Sequence, residues 1–249
     1  MKENDRIMER ISEIEDEYWW YTGRREILKH ILSSLLDTNS RVLNVGCGTG
    51  SDSLSVSEFG AEVFNTDYSL TALVLNRRKG NEKHFRADCI QLPLKAASLD
   101  LVMCLDVIEH VERDIEAMDE LRRVLDPSDG RLLLTVPAYN WMWTSRDDVA
   151  GHFRRYSKKK LKKVLHTGGF EIIFCSYFNT FLFSFMLADF ILDHLRKARN
   201  SENTFPEFNR KVNTILRKIL SFERHFLIKP GLPFGKSIIC LCRPRKIKC

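Results

Sequence analysis

Short apolar runs alternate along this chain with longer stretches in which apolar residues recur every three or four positions, a pattern of strands alternating with helices. Ile7, Ile11 and Ile14 recur at helical spacing among the acids and arginines of residues 3–17 and predict an amphipathic first helix. The aromatic run Tyr18-Trp19-Trp20-Tyr21 precedes a second helix near Arg25–Leu36, whose inner face is Ile27, Leu28, Ile31, Leu32 and Leu35. Strands are expected at Val42–Val45, Ala61–Thr66, His84–Ala87, Ser98–Cys104 and Arg131–Val136. Helices near Asp52–Phe59 and Asp114–Leu125 fall between them. Ser69 and Ser157 stand where N-caps belong, and Ser157 opens a basic helix, Lys158–His166, ended by Gly168-Gly169. Phe170–Phe178 and Ser237–Leu241 read as a sixth and a seventh strand, with a basic tail at Arg243–Lys248. The stretch 179–236 between them has helical periodicity over Phe181–Leu195 and Phe208–Leu220.

Such alternation implies an α/β sheet, mostly parallel, with helices on both faces. Right-handed crossovers bring the strand exits to one rim. That rim collects the glycine loop of Arg41–Gly50 (RVLNVGCGTG), Asp67, Asp88, Leu105–His110 and the segment after Pro137. Gly46, Gly48 and Gly50 let the backbone turn sharply and let a ligand lie directly on it. Asp67 follows this loop by about 20 residues, where a carboxylate in a βαβ unit accepts the hydroxyls of a ribose. The alternative is an acid at the N-terminus of the next helix, where Ser69 is already placed as the cap.

The spacing G-x-G-x-G, with Ser51 where a dinucleotide fingerprint has its third glycine, resembles motif I of the class I S-adenosylmethionine-dependent methyltransferases. The runs Gln91-Leu92-Pro93-Leu94 and Leu105-Asp106-Val107-Ile108-Glu109-His110-Val111 resemble that family's later motifs, in the family's order. The resemblance implies a Rossmann-like seven-stranded sheet whose last strand is antiparallel. It implies S-adenosylmethionine as cofactor, released as S-adenosylhomocysteine. The residues it places around the cofactor are Asn44, Gly46, Cys47, Gly48, Gly50, Asp67, Tyr68, Asp88, Cys89 and Leu105, with Asp88 at the adenine. Asn44 stands where the family has an acid. Arg24 would offer its guanidinium to a carboxylate from a lid made of residues 1–40. On this reading residues 1–249 form one domain, with a core over 41–178, a helical substrate cover over 179–236, and the last strand and tail over 237–249.

Composition narrows the picture only a little. A net charge of +6 permits an anionic surface as partner without demanding one. Seven cysteines, scattered through apparent strands, read as reduced thiols, and Cys240-x-Cys242 with Cys249 matches no common zinc spacing, so no metal is expected. The charged start MKENDRIMER predicts no secretory signal, and the expected location is cytoplasmic. Ile172–Leu192 is long enough to span a membrane but contains Asn179, Thr180, Ser184 and Asp189, and its first half reads as a sheet strand. The apolar and basic insert suits peripheral contact with a membrane.

Methyl transfer from a sulfonium needs alignment and the removal of water, and a hydroxyl acceptor adds the need for a base. His110, after strand 4, and His152, in the run Gly151-His152-Phe153-Arg154-Arg155-Tyr156-Ser157, are the candidates, although His110 could instead only hold its loop. Trp141 on the rim, Arg154 and Tyr156 are candidate substrate contacts. A small-molecule or lipid-linked acceptor, methylated on oxygen, is the expected substrate. No Asn-Pro-Pro-Tyr-type motif follows strand 4, which argues against methylation of DNA bases. An NAD-dependent oxidoreductase fails on the glycine spacing. A catalytically inactive binding protein and an RNA methyltransferase are the remaining alternatives.

Overall fold

The structure, a computed structural model, describes residues 3–195, 206 and 208–246. Strands β1 (Arg41–Val45), β2 (Glu62–Asp67), β3 (His84–Arg86), β4 (Leu101–Leu105), β5 (Arg131–Pro137), β6 (Phe170–Phe178) and β7 (Ser237–Pro244) form one sheet in the order β3-β2-β1-β4-β5-β7-β6. β7 runs antiparallel to both of its neighbours, and the other pairs are parallel. The helices are α1 (Glu3–Ile14), α2 (Trp19–Leu32), α3 (Ser51–Ser57), α4 (Leu70–Arg78), α5 (Asp114–Val124), α6 (Ser145–Ala150), α7 (Lys158–Thr167), α8 (Phe183–Leu195) and α9 (Arg210–Phe222).

The strands read as continuous apolar runs because both faces of the sheet are covered. In β4, Val102 and Cys104 enter the core under α5 and α7, where Met118, Leu121, Leu161 and Leu165 are buried. Leu101, Met103 and Leu105 enter the core on the other face, with Ile27 and Leu28 of α2 and Leu220 of α9. Strand polarity therefore puts the exits of β1, β2, β4 and β5 on one rim, as the alternation of elements demands.

Several boundaries differ from the sequence reading, each for a tertiary reason. The aromatic run begins α2 instead of preceding it. Trp20 stacks on Phe178 at 5.6 Å, and the Trp19 amide donates to Asn213 Oδ1 at 3.1 Å. Ser98 and Leu99 lie outside β4 because their amides bond to Val124 O at the end of α5. β7 extends through Arg243, taking part of the expected basic tail into the sheet, where Arg243 pairs with Glu171 at 3.0 Å. Ser69 and Ser157 do cap α4 and α7, accepting from the amides of Ala72 and Lys160.

The insert has two parts. α9 packs along α2, with Leu220 against the bare face of Gly23, and Arg224 reaches Glu26 at 3.3 Å. α8 follows β6 near the rim. The apolar stretch Ile172–Leu192 is split between β6 and α8, and among the described residues no helix is long and apolar enough to cross a membrane. The tail residues 247–249 lie outside the described residues.

Candidate active site

The glycine loop is shaped by three left-handed residues, Gly46 (φ +62°), Gly48 (+53°) and Gly50 (+92°). A Cβ at Gly46 would lie 2.4 Å from Val107, and one at Gly50 2.4 Å from Asn81. At Gly48 it would meet nothing within 4 Å, so this backbone faces open space. The Gly48 amide donates to Asp67 Oδ2 at 3.0 Å, and the Ser69 amide to Asp67 Oδ1 at 2.8 Å. These bonds tie the loop to the exit of β2. Burial raises the Asp67 pKa against the pull of these amides. Tyr68 is exposed beside it, with the Arg86 guanidinium 4.9 Å from its ring centre. Asp88, at the exit of β3, is exposed and accepts from the Ile90 amide. A bare backbone turn beside a carboxylate, with an open aromatic ring next to it, fits the adenosyl half of S-adenosylmethionine. Asp67 can take the ribose hydroxyls, and Gly48 gives room for the chain to the sulfur.

A cavity of about 570 Å³ opens on the same rim, under α1 and α2 and beside α6 and α8. Ile11, Trp20, Met142 and Phe208 give it apolar walls, and Asp106, Glu109, Asp147 and His152 gather at its polar end. α1 is held across α4 by the Thr71 hydroxyl donating to Asp5 at 2.7 Å and by Lys79, 2.9 Å from Glu15 and 3.0 Å from Asp16.

The polar end is assembled from two distant segments. β4 exits into a turn in which Asp106 has φ +56°, followed by a short 3-10 turn, Ile108–His110. The Phe153 amide donates to Glu109 O at 2.8 Å, bringing the Gly151–Ser157 run onto this turn. There His152 Nδ1 lies 2.8 Å from Asp147 Oδ1, and Arg155 grips the same carboxylate with two bonds of 2.8 and 2.7 Å. Burial works against the Asp147 charge, yet His152 and Arg155 hold its carboxyl well below the usual range. With Nδ1 oriented by a carboxylate, His152 keeps Nε2 for other partners. The His110 ring meets the His152 ring edge to face, with centres 4.5 Å apart. Packing around the His110 ring and the neighbouring His152 lower its pKa to about 4, so it is neutral at pH 7. Glu109 is fully buried and neither of its carboxylate oxygens has a hydrogen-bond partner among the described residues.

Other expected site residues are placed differently. Tyr156 is no substrate contact: it is fully buried and its hydroxyl donates to Asp114 Oδ2 at 2.9 Å, as a core residue with a polar end must. Arg154 turns to the same Asp114, at 2.9 Å, and to the Glu112 carbonyl, away from the cavity. Trp141 is exposed, stacked on Tyr139 at 5.5 Å, and stands outside the cavity lining. Asn44 is buried and donates to Ser53 Oγ at 2.8 Å, within a chain that continues to Asn65, so its side chain locks α3 onto the sheet. Arg24 does line the cavity, but it is paired with Asp52 at 2.6 Å and Asp106 at 2.7 Å, because a buried guanidinium requires counter-charge. The side chains of Cys47, Cys89 and Leu105 are buried, and burial pushes the Cys89 thiol up to about 12. Only the backbone of these three residues is placed to meet a ligand. Asp147 had no sequence signal of its own, and Glu109 stood in the Leu105–Val111 run without an assigned role. A carboxylate five residues before a histidine and eight before an arginine looks like any surface acid.

Residues 43–134 match the methyltransferase domain family. A probable S-adenosylmethionine-dependent methyltransferase of Mycolicibacterium smegmatis is 29% identical over 161 residues, covering 64% of this chain and 61% of that protein. The mitochondrial ubiquinone biosynthesis O-methyltransferase of Schizosaccharomyces pombe is 25% identical over 151 residues, covering 52% of this chain and 54% of the relative. The chain thus spans less than two thirds of either relative. Among solved structures, a chain of the complex between the Haloferax volcanii Trm112 methyltransferase activator and a methyltransferase has the same fold, with a TM-score of 0.67 at 16% identity over 99% of both chains. The domain match begins in β1 and ends in β5, and with this sheet order it supports a class I S-adenosylmethionine-dependent methyltransferase domain over that segment.

Proposed function

We propose that this chain transfers a methyl group from S-adenosylmethionine to a hydroxyl of a small-molecule or lipid-linked acceptor held in the 570 Å³ cavity. The observation that carries the reading is the cavity's lining, in which Ile11, Trp20, Met142 and Phe208 give apolar walls and Glu109, Asp147 and His152 come together as one polar end. An apolar acceptor with one polar head would lie with its hydroxyl at that end. When bound, S-adenosylmethionine supplies a methyl group on a good leaving group. The chain's own residues align the acceptor and exclude water, with Trp20, Met142 and Phe208 walling the cavity. The acceptor O–H proton leaves toward the His110–His152 end as the O–C bond forms and the S–C bond breaks. A neutral His110 and an Asp147-oriented His152 suit that role. Phe181, Phe222, Ile228 and Phe234 are exposed on the insert near the basic α9, which supports peripheral contact with a lipid surface that carries such acceptors.

Thermal unfolding with S-adenosylmethionine, S-adenosylhomocysteine and NAD tests the cofactor half. The two adenosyl-sulfur ligands should each stabilise the wild type by about 2.7 kcal/mol at 100 times their Kd, NAD should do nothing, and Asp67→Ala should abolish the effect. Methyl incorporation into a panel of hydroxylated lipids and small phenols tests the acceptor half. His152→Ala should keep the ligand-induced stabilisation and lose incorporation. Stabilisation without incorporation into any acceptor would favour an inactive binding protein.

A further inference from the structure

Glu109 is the least explained group in the molecule. A fully buried carboxylate with two unpartnered oxygens is costly in either charge state unless something arrives to meet it. Burial and the nearby Asp106 push its pKa well above the usual carboxylate range, and the guanidinium of Arg155, which pulls the other way, is already held by Asp147. Beside it stand two imidazoles. One ligand atom each from Glu109, His110 and His152 can be chosen so that all lie within 4.8 Å of one another.

We propose that Glu109, His110 and His152 form a binding site for a divalent transition-metal ion at the polar end of the cavity. One carboxylate and two imidazoles are the donor set of mononuclear Zn²⁺, Mn²⁺ and Fe²⁺ centres, whereas Mg²⁺ favours oxygen alone. The surrounding groups are those a metal site requires. His152 Nδ1 is oriented by Asp147 at 2.8 Å, the carboxylate–histidine arrangement that fixes the ring and leaves Nε2 for a ligand. The His110 ring packs edge to face on the His152 ring, with centres 4.5 Å apart. Donor atoms on a tetrahedral Zn²⁺ lie about 3.3 Å apart, so the ion would draw the three groups together by about 1.5 Å, within reach of side-chain rotation. Three protein ligands leave a coordination position open toward the cavity, since Glu109 and His152 both line it. The use of that position by an acceptor oxygen rests on the hydroxyl reading above. There the cation would lower the hydroxyl pKa and the acceptor proton would pass to water, the imidazoles serving as proton acceptors only in the metal-free chain.

The test is calorimetric titration of the chelator-treated full chain with ZnCl₂, MnCl₂ and MgCl₂, alongside the absorption spectrum of the Co²⁺-loaded chain. The expected result is one equivalent of Zn²⁺ or Mn²⁺ bound at micromolar Kd or tighter, weaker Mg²⁺ binding, and a Co²⁺ spectrum without a thiolate charge-transfer band. The isosteric Glu109→Gln and the His152→Ala variants should each weaken binding by about 100-fold. Absence of saturable binding, a thiolate band that reports the cysteines, or unchanged affinity in Glu109→Gln would each overturn the site. The same variants are heated with S-adenosylhomocysteine as a folding and cofactor control, and the stabilisation should persist in both. Lost metal binding with retained stabilisation assigns the site to these three residues. Metal binding by a wild type that shows no stabilisation leaves the site standing and removes the methyl-transfer reading alone.

Discussion

Gly48 separates what the backbone needs from what a ligand needs. Gly46 and Gly50 are excluded from substitution by Val107, Asn76 and Asn81, whereas nothing within 4 Å opposes a Cβ at Gly48. Gly48→Ala should therefore cost only the left-handed backbone penalty, about 1–2 kcal/mol, while placing a methyl group in the proposed cofactor position. The expected outcome is a folded variant whose affinity for S-adenosylhomocysteine falls by about 100-fold, measured by calorimetry. Wild-type affinity in that variant would move the cofactor off this loop. The glycines were legible in the sequence because a positive φ restricts the choice of residue. Glu109 and Asp147 were legible only as letters. Whether an acid is buried, paired or orphaned depends on segments far away in the chain.

At the scale of elements, the strands were readable because an apolar run covered on both faces leaves little ambiguity. The α5, α7 and α9 helices were readable from their stripes. The docking of α9 was not. Its apolar stripe could have roofed the cavity, but Leu220 is fully buried against Gly23 of α2 instead. Leu220→Ala should destabilise the whole domain by about 2–4 kcal/mol, with one urea transition and an unchanged m-value. A separate early transition would show that α9 is only loosely attached. The aromatic run Tyr18–Tyr21 became the start of α2 for the same reason, since contacts with Phe178 and Asn213 outweigh a sequence that offers no helix cap.

Across the whole molecule, Glu223 ties the insert to the sheet. Fully buried, it accepts the amides of Thr180 (2.7 Å) and Phe181 (2.8 Å) where the chain leaves β6. Burial raises its pKa to about 7 against the pull of these amides. Between the unfolded value of 4.5 and about 7, the folded chain holds a proton that the unfolded chain has released. Stability should therefore fall as pH rises through that window and level off above it. Glu223→Gln keeps an acceptor for both amides and removes the titration. Its stability relative to wild type should rise between pH 4.5 and 7 and then stay constant, by up to about 3 kcal/mol, as measured by urea unfolding at pH 5 and pH 8. A constant difference across that range would mean that Glu223 is ionised in the folded chain.

The sequence by itself determined the sheet, the order of its elements and the rim on which we place the cofactor. Those follow from local rules: hydrophobic period, glycine at positive φ, and the handedness of crossovers. The tertiary structure alone decided which polar residues face the cavity. It turned Tyr156, Arg154 and Asn44 inward to structural partners, gave Arg24 two carboxylates, and set Glu109, His110 and His152 side by side. A polar side chain has no period to betray its direction, and its partner is chosen by distance in space and by the cost of leaving it unpaired.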